Sequence, residues 1–125
     1  MDAEDIAEIY LRHFAAKHQD DEWAVTEVDD LVRRDPIGGW DVTRELVRKA
    51  ESDEALAYVA AGPLEELLVN HGAVVIDLIE RECLGNERLR LALSGVWLDR
   101  EDPIWERWYK LMWKYGFAEG SQRPL

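Results

Sequence analysis

The chain has 125 residues, 47% of them apolar and 34% charged, which fits one ordinary globular domain and excludes a disordered or fibrous chain. Its formal net charge of −12 disfavours nucleic acid and anionic membrane surfaces as partners. No apolar run in the sequence approaches the roughly 20 residues of a bilayer span. The single cysteine, Cys83, rules out an internal disulfide, and the N-terminus is acidic rather than basic-then-apolar, so a cytoplasmic protein is expected.

Apolar residues recur at helical spacing nearly throughout, and no stretch alternates with a two-residue period, so the expected class is all-α. A first helix is predicted from about Asp2 to His18, with Ile6, Ile9, Tyr10 and Phe14 as its apolar stripe. Asp2, Glu4 and Asp5 stand in its first turn, where the helix dipole favours acids. After the polar break Gln19-Asp20-Asp21, a second helix spans about Glu22–Arg34 with Ala24, Val28, Leu31 and Val32 inward. Asp35-Pro36 reads as an N-cap followed by proline at the first position of a third helix. That helix carries Trp40, Leu46, Val47 and Ala50, and Gly38-Gly39 weakens its start.

Ser52-Asp53 caps a short helix containing Leu56, Val59 and Ala60. Gly62-Pro63 interrupts it and opens the next, with Leu64, Leu67, Leu68 and His71 on one side and Gly72 as a left-handed C-cap. Further helices are predicted over Ala73–Leu84 and Glu87–Trp97, and Asp102-Pro103 opens a last one that ends near Gly116. The expectation is a single domain over residues 1–116, a compact bundle or short solenoid-like stack of seven to eight short helices, with a poorly ordered tail over 117–125.

The stretch from Gly62 to Gly72 holds the candidate ligand-binding residues His71, Glu65 and Glu66. Free N–H groups after Pro63 suit an anion, and the three side chains suit acid–base work. Helix-end chemistry accounts for the same letters: proline opens the helix, Glu65 complements its dipole and Gly72 closes it. His71 follows Leu64 by seven residues, about 20° around the helix, and so falls with the leucines, whereas Glu65 and Glu66 point elsewhere. No catalytic residue is assigned and no cofactor is implied. His13 and His18 are five residues apart rather than the four of a helical zinc pair, so no metal site is assigned. Cys83 shares a stripe with Ile76 and Ile79 and reads as an inert buried thiol. Ser94-Gly95 lacks the Gly-x-Ser-x-Gly pattern of a nucleophile elbow, and no Gly-Lys-Ser or Gly-Lys-Thr follows Gly38-Gly39.

On the last helix Ile104, Trp108, Leu111, Met112 and Tyr115 form an inward stripe, while Tyr109 and Trp113 fall toward the opposite side beside Lys110 and Lys114. Aromatic side chains next to cations are typical interface anchors, so these four are the candidate partner-binding residues. A helix buried all round is the alternative. Charge is uneven: residues 1–35 hold eleven acids and four bases, and residues 106–125 hold two acids and four bases.

The string Ala60-Ala61-Gly62-Pro63-Leu64-Glu65-Glu66-Leu67-Leu68, followed by His71-Gly72 and Gly95-Val96-Trp97, resembles a group of small bacterial proteins known only as a domain of unknown function. Trp23, Val28, Leu31, Asp35-Pro36 and Trp40 extend the resemblance to about residues 10–110. Glu66 stands where that pattern has Asp, and Ile37-Gly38-Gly39 departs from its usual helix formers. The resemblance implies no activity, cofactor or catalytic residue. The function expected from the sequence is a non-catalytic protein-interaction module, of immunity or adaptor type, binding a basic partner. An enzyme or small-ligand binder with a pocket near His71 is the alternative, and a homo-oligomer through the last helix is a third.

Overall fold

The computed structural model describes residues 1–117, and most of the tail expected over 117–125 therefore lies outside the described residues. Six helices and no strand make up those residues: α1 Ala3–Ala16, α2 Glu22–Arg34, α3 Pro36–Lys49, α4 Asp53–Cys83, α5 Glu87–Ser94 and α6 Trp105–Lys114. A 3-10 turn, Gln19–Asp21, leads into α2. Four helices start on a side-chain cap, each worth about 1 kcal/mol. Asp2 accepts from the Asp5 amide, Asp35 from Gly38, Ser52 from Ala55 and Asn86 from Leu89. Asp102 instead accepts from the Ile104 amide in a tight turn, which delays α6 to Trp105. The helix expected over Glu87–Trp97 stops at Ser94.

The expected count of seven to eight helices is too high because three of them are one. Pro63 does not open a helix; it lies inside α4, within a π-helical turn over Ala60–Leu64. A proline in an α-helix lacks an N–H and drives its ring against the carbonyl four residues back. The wider turn absorbs both faults: the Glu65 amide reaches five residues back to the Ala60 carbonyl, and the helix continues to Cys83.

Gly72 is not a left-handed C-cap either, and the interruption expected there falls one residue earlier. The backbone bends at His71 (φ −136°, ψ 27°) and then resumes its helical path. Gly72 is buried, and a Cβ there would stand 2.7 Å from Ile104 Cγ1 and 3.1 Å from Cγ2, so the glycine is a notch for the residue that leads into α6. Gly39 has a similar task. A Cβ on it would come within 3.0 Å of the Leu31 carbonyl oxygen and of Val32 Cα, which fixes how closely α3 approaches α2.

Merged in this way, α4 has 31 residues and by length and composition alone could cross a membrane, although half of its apolar window is buried inside the fold. Glu65 and Glu66 interrupt its apolar residues, so no uninterrupted apolar run reaches the length of a span. The core helix of a protein without any membrane span has the same character.

Helix α1 packs on α2 and α3, α4 crosses α2 and α3, α5 rests on α3 and α4, and α6 closes against α4 and α5. Contacts between α1 and α3 and between α3 and α5 make this a compact bundle rather than a sequential stack. One buried cluster draws residues from all six helices, from Ile6 and Tyr10 on α1 to Trp108 and Met112 on α6. Trp108 is fully buried and its indole N–H donates to the Leu93 carbonyl at 3.0 Å. Burial of an indole of this size contributes roughly 4–6 kcal/mol before ordering costs.

Two arginines of α5 satisfy carbonyls that helix ends leave without partners. Arg88 donates to the Val47 and Ala50 carbonyls at the end of α3, and Arg90 to the Cys83 and Leu84 carbonyls at the end of α4. Near the N-terminus, Arg12 grips the buried Asp21 with two hydrogen bonds of 2.7 Å and holds its carboxyl below the usual range. Burial pushes the Cys83 thiol up to about 11, which fits an unreactive core residue.

Candidate functional site

A cleft of about 410 Å³ opens where α1 and α2 meet the π turn of α4. Each wall follows from local sequence. The helical repeat of α1 turns Tyr10 inward, where it is buried but still lines the cleft. On α2, Val28 and Val32 face the core, while Val25, Thr26 and Asp29 occupy the cleft side of the same turns. The π turn brings three consecutive residues, Ala61, Gly62 and Pro63, onto the third wall, with Tyr58 one turn before and Glu66 one turn after. Single π turns inside α-helices recur at functional sites, because they re-aim side chains without ending the helix.

The electrostatics of this cleft are acidic and aromatic. Asp29 and Glu66 approach from different helices, and the guanidinium of Arg33 stands between them, 3.5 Å from Asp29 Oδ1 and 3.9 Å from Glu66 Oε2. Burial, chiefly, and then the neighbouring Tyr58 and Asp29 push the Tyr10 hydroxyl above its ordinary value, so it stays a neutral donor and acceptor at physiological pH. The Tyr10 and Tyr58 rings lie 6.1 Å apart, and Phe14 packs on Tyr58 at 4.8 Å. Tyr58 keeps 46% of its surface exposed. No group of three or more His, Cys, Asp or Glu side chains suited to a metal ion occurs among the described residues.

The three residues singled out between Gly62 and Gly72 do not converge. Glu66 lines the cleft and accepts a hydrogen bond from Asn70 Nδ2 at 3.2 Å. Glu65 turns the other way, and its Oε1 accepts from the Trp97 backbone amide at 2.7 Å, fastening the segment after α5. His71 lies at the bend of α4 and does not line the cleft. Its Nε2 donates to the Arg33 carbonyl at 2.8 Å, one of the last carbonyls of α2, so the imidazole serves as a C-terminal cap on that helix. Tyr10, Asp29 and Tyr58 were not candidates in the sequence. Tyr10 belongs to the apolar stripe of α1, and no local pattern reports that it meets Asp29 and Tyr58.

The candidate contact residues of α6 share one flank. Tyr109 is half-buried and stacks on Trp105 with ring centres 4.7 Å apart, and Trp113 meets Tyr109 edge-on at 6.4 Å. Trp113 remains 53% exposed. Lys110 pairs with Glu106 at 3.3 Å, and Lys114 lies over the Tyr115 ring. The inward stripe Ile104, Trp108, Leu111 and Met112 is buried as the periodicity implies, and Tyr115 is half-buried.

Compared with known proteins, the chain matches the sequence profile of a family of unknown function (DUF6869) over residues 12–115. No curated protein and no solved structure matches it. The chain belongs to that family of unknown function, within close to the span the resemblance implied.

Proposed function

We propose that this protein is a non-catalytic binding module whose acidic α1–α2 side receives a basic protein partner. The observation that carries the reading is the cleft itself: two carboxylates, Asp29 and Glu66, held beside two tyrosines on a molecule of formal net charge −12. A surplus of negative charge steers a cationic partner at long range, and a cleft with carboxylates and aromatic walls gives it a place to anchor. Cations within α1 and α2 are already engaged, Arg12 with Asp21, Arg33 with Asp29 and Arg34 with Asp30, which leaves exposed acids such as Glu22 and Glu27 uncompensated. A reducing, cytoplasmic setting suits Cys83 as a buried thiol.

The test is affinity capture from an extract of the source organism with the full chain as bait, at low and at moderate salt. The expected result is a basic protein whose recovery falls with salt and is lost when Glu22→Lys and Glu27→Lys are introduced together. A captured protein that is acidic, or indifferent to both salt and charge reversal, would overturn the proposal, as would reproducible absence of any captured protein. The exposed Trp113 beside Lys110 and Lys114 favours a second contact face on α6, used by a partner or by a second copy of the chain. Sedimentation of the wild type and of Trp113→Ala at several concentrations separates those two uses.

A further inference from the structure

Two carboxylates that line the cleft share a cation of the chain itself, and the geometry of that contact bears on what the cleft accepts. Asp29 on α2 and Glu66 on α4 both lie within reach of one guanidinium, that of Arg33. Full-strength pairs between guanidinium and carboxylate close to about 2.7–2.9 Å. Arg12 and Asp21 reach that spacing twice in the same molecule, at 2.7 Å each. Arg33 does not: its contacts are 3.5 and 3.9 Å, and 57% of its side chain is exposed. Both carboxylates therefore retain acceptor capacity toward the cleft.

Resting on the basic-partner reading, we infer that the cleft is an arginine site: a side chain of the partner enters between α1, α2 and the π turn, its guanidinium bridges Asp29 and Glu66, and Arg33 swings aside. Three features select arginine over lysine. A planar fork of five donors can serve two carboxylates on different helices at once, whereas an ammonium is a point charge with three donors. The half-exposed ring of Tyr58 offers a face on which a guanidinium stacks, as Arg90 does over Tyr115 at 4.3 Å in this protein. Val25 and Pro63 give the methylene stem an apolar wall, and about 410 Å³ is ample for one side chain. The Tyr10 hydroxyl, kept neutral by burial, adds a hydrogen-bonding group without adding a third negative charge.

The experiment titrates the full ¹⁵N-labelled chain with Nα-acetyl-arginine amide and, separately, with Nα-acetyl-lysine amide at one fixed ionic strength. Arginine amide is expected to give saturable amide shifts centred on Thr26, Asp29, Tyr58, Gly62 and Glu66, and to bind roughly tenfold tighter than the lysine compound. Asp29→Asn and Glu66→Gln each weaken it about tenfold. Arg33→Gln tightens it several-fold by removing the resident competitor, while the His71 bond to the backbone of residue 33 keeps α2 capped. Shifts scattered over the acidic surface, equal binding of the two amides, or no tightening in Arg33→Gln would each overturn the inference. The two readings fail separately. A captured basic protein whose binding survives both Asp29→Asn and Glu66→Gln overturns the arginine site and leaves the basic-partner module standing. Saturable arginine binding without any captured basic protein does the reverse.

Discussion

Gly72 shows how one residue type answers to different demands. In the sequence it follows a histidine at the end of a leucine-rich turn, the place where a left-handed cap is common. In the fold it is helical and buried, and what requires glycine is the side chain of Ile104. Both readings predict a loss for Gly72→Ala, the cap because alanine is strained at positive φ and the notch because of Ile104, so a change at Ile104 decides between them. An alanine in an unobstructed helical interior would stabilise by about 0.5–1 kcal/mol. Here the added methyl meets Ile104 Cγ1 at 2.7 Å, next to that residue's own Cβ rather than at a flexible tip, so overpacking outweighs the gain. Gly72→Ala is expected to lower stability by about 1–2 kcal/mol in urea titration, and to cost little or nothing further in an Ile104→Ala background, where both clashing Cγ atoms are gone. An unchanged or raised midpoint in the single variant would refute the notch. His71 was similarly ambiguous. Its position with the leucines was legible, but its partner, the Arg33 carbonyl 38 residues earlier, was not.

Among the elements, what could be read was where chains of helical spacing begin, and what could not be read was whether they join. Asp35 and Ser52 cap the helices that the sequence assigns to them, because a capping side chain acts on amides three residues away, whereas Asp2, placed in the first turn by the sequence, is itself the cap of α1. Gly62-Pro63 looked like a boundary because proline usually ends or opens a helix. A π turn is a third solution, stabilised by packing on α2 and α5, and packing is not local information. The candidate cleft was hidden for the same reason, since Tyr10, Asp29, Tyr58 and Glu66 come from three helices. Arg90 ties another such junction. It donates to the Cys83 and Leu84 carbonyls where α4 ends, and its guanidinium lies 4.3 Å from the Tyr115 ring centre beyond α6. Arg90→Met keeps the apolar stem and removes the donors and the charge, and it is expected to cost about 1.5–3 kcal/mol by chemical denaturation. Hydrogen exchange should quicken at the amides of the last turn of α4. A variant as stable as wild type, with unchanged exchange there, would show that water replaces the arginine without loss.

On the scale of the whole molecule, the question is whether α6 is part of one cooperative unit or an appendage. The sequence offers only a boundary before it, the Asp102-Pro103 turn. The structure ties α6 down at several points: Ile104 in the Gly72 notch, the Trp108 indole on the Leu93 carbonyl, Arg107 on Asp77 of α4 at 2.7 Å, and Met112 fully buried. Those contacts draw on α4 and α5, which in turn pack on α3, so α6 has no core of its own to retain once they separate. Three of the six tryptophans, Trp105, Trp108 and Trp113, belong to α6, and fluorescence therefore weights this helix, whereas far-ultraviolet circular dichroism weights the helical content of the whole chain. Urea unfolding followed by both signals should give one superimposable transition, with a slope of about 1–3 kcal/mol/M. If α6 docked independently, the fluorescence change would come first, at lower urea, with most of the helical signal intact. Trp108→Phe sharpens the distinction. It removes the indole donor from the Leu93 carbonyl, which keeps the Val96 amide, and shrinks a fully buried side chain, and it is expected to shift both transitions together by about 1–3 kcal/mol. A shift in fluorescence alone would show that α6 can leave while the five remaining helices hold.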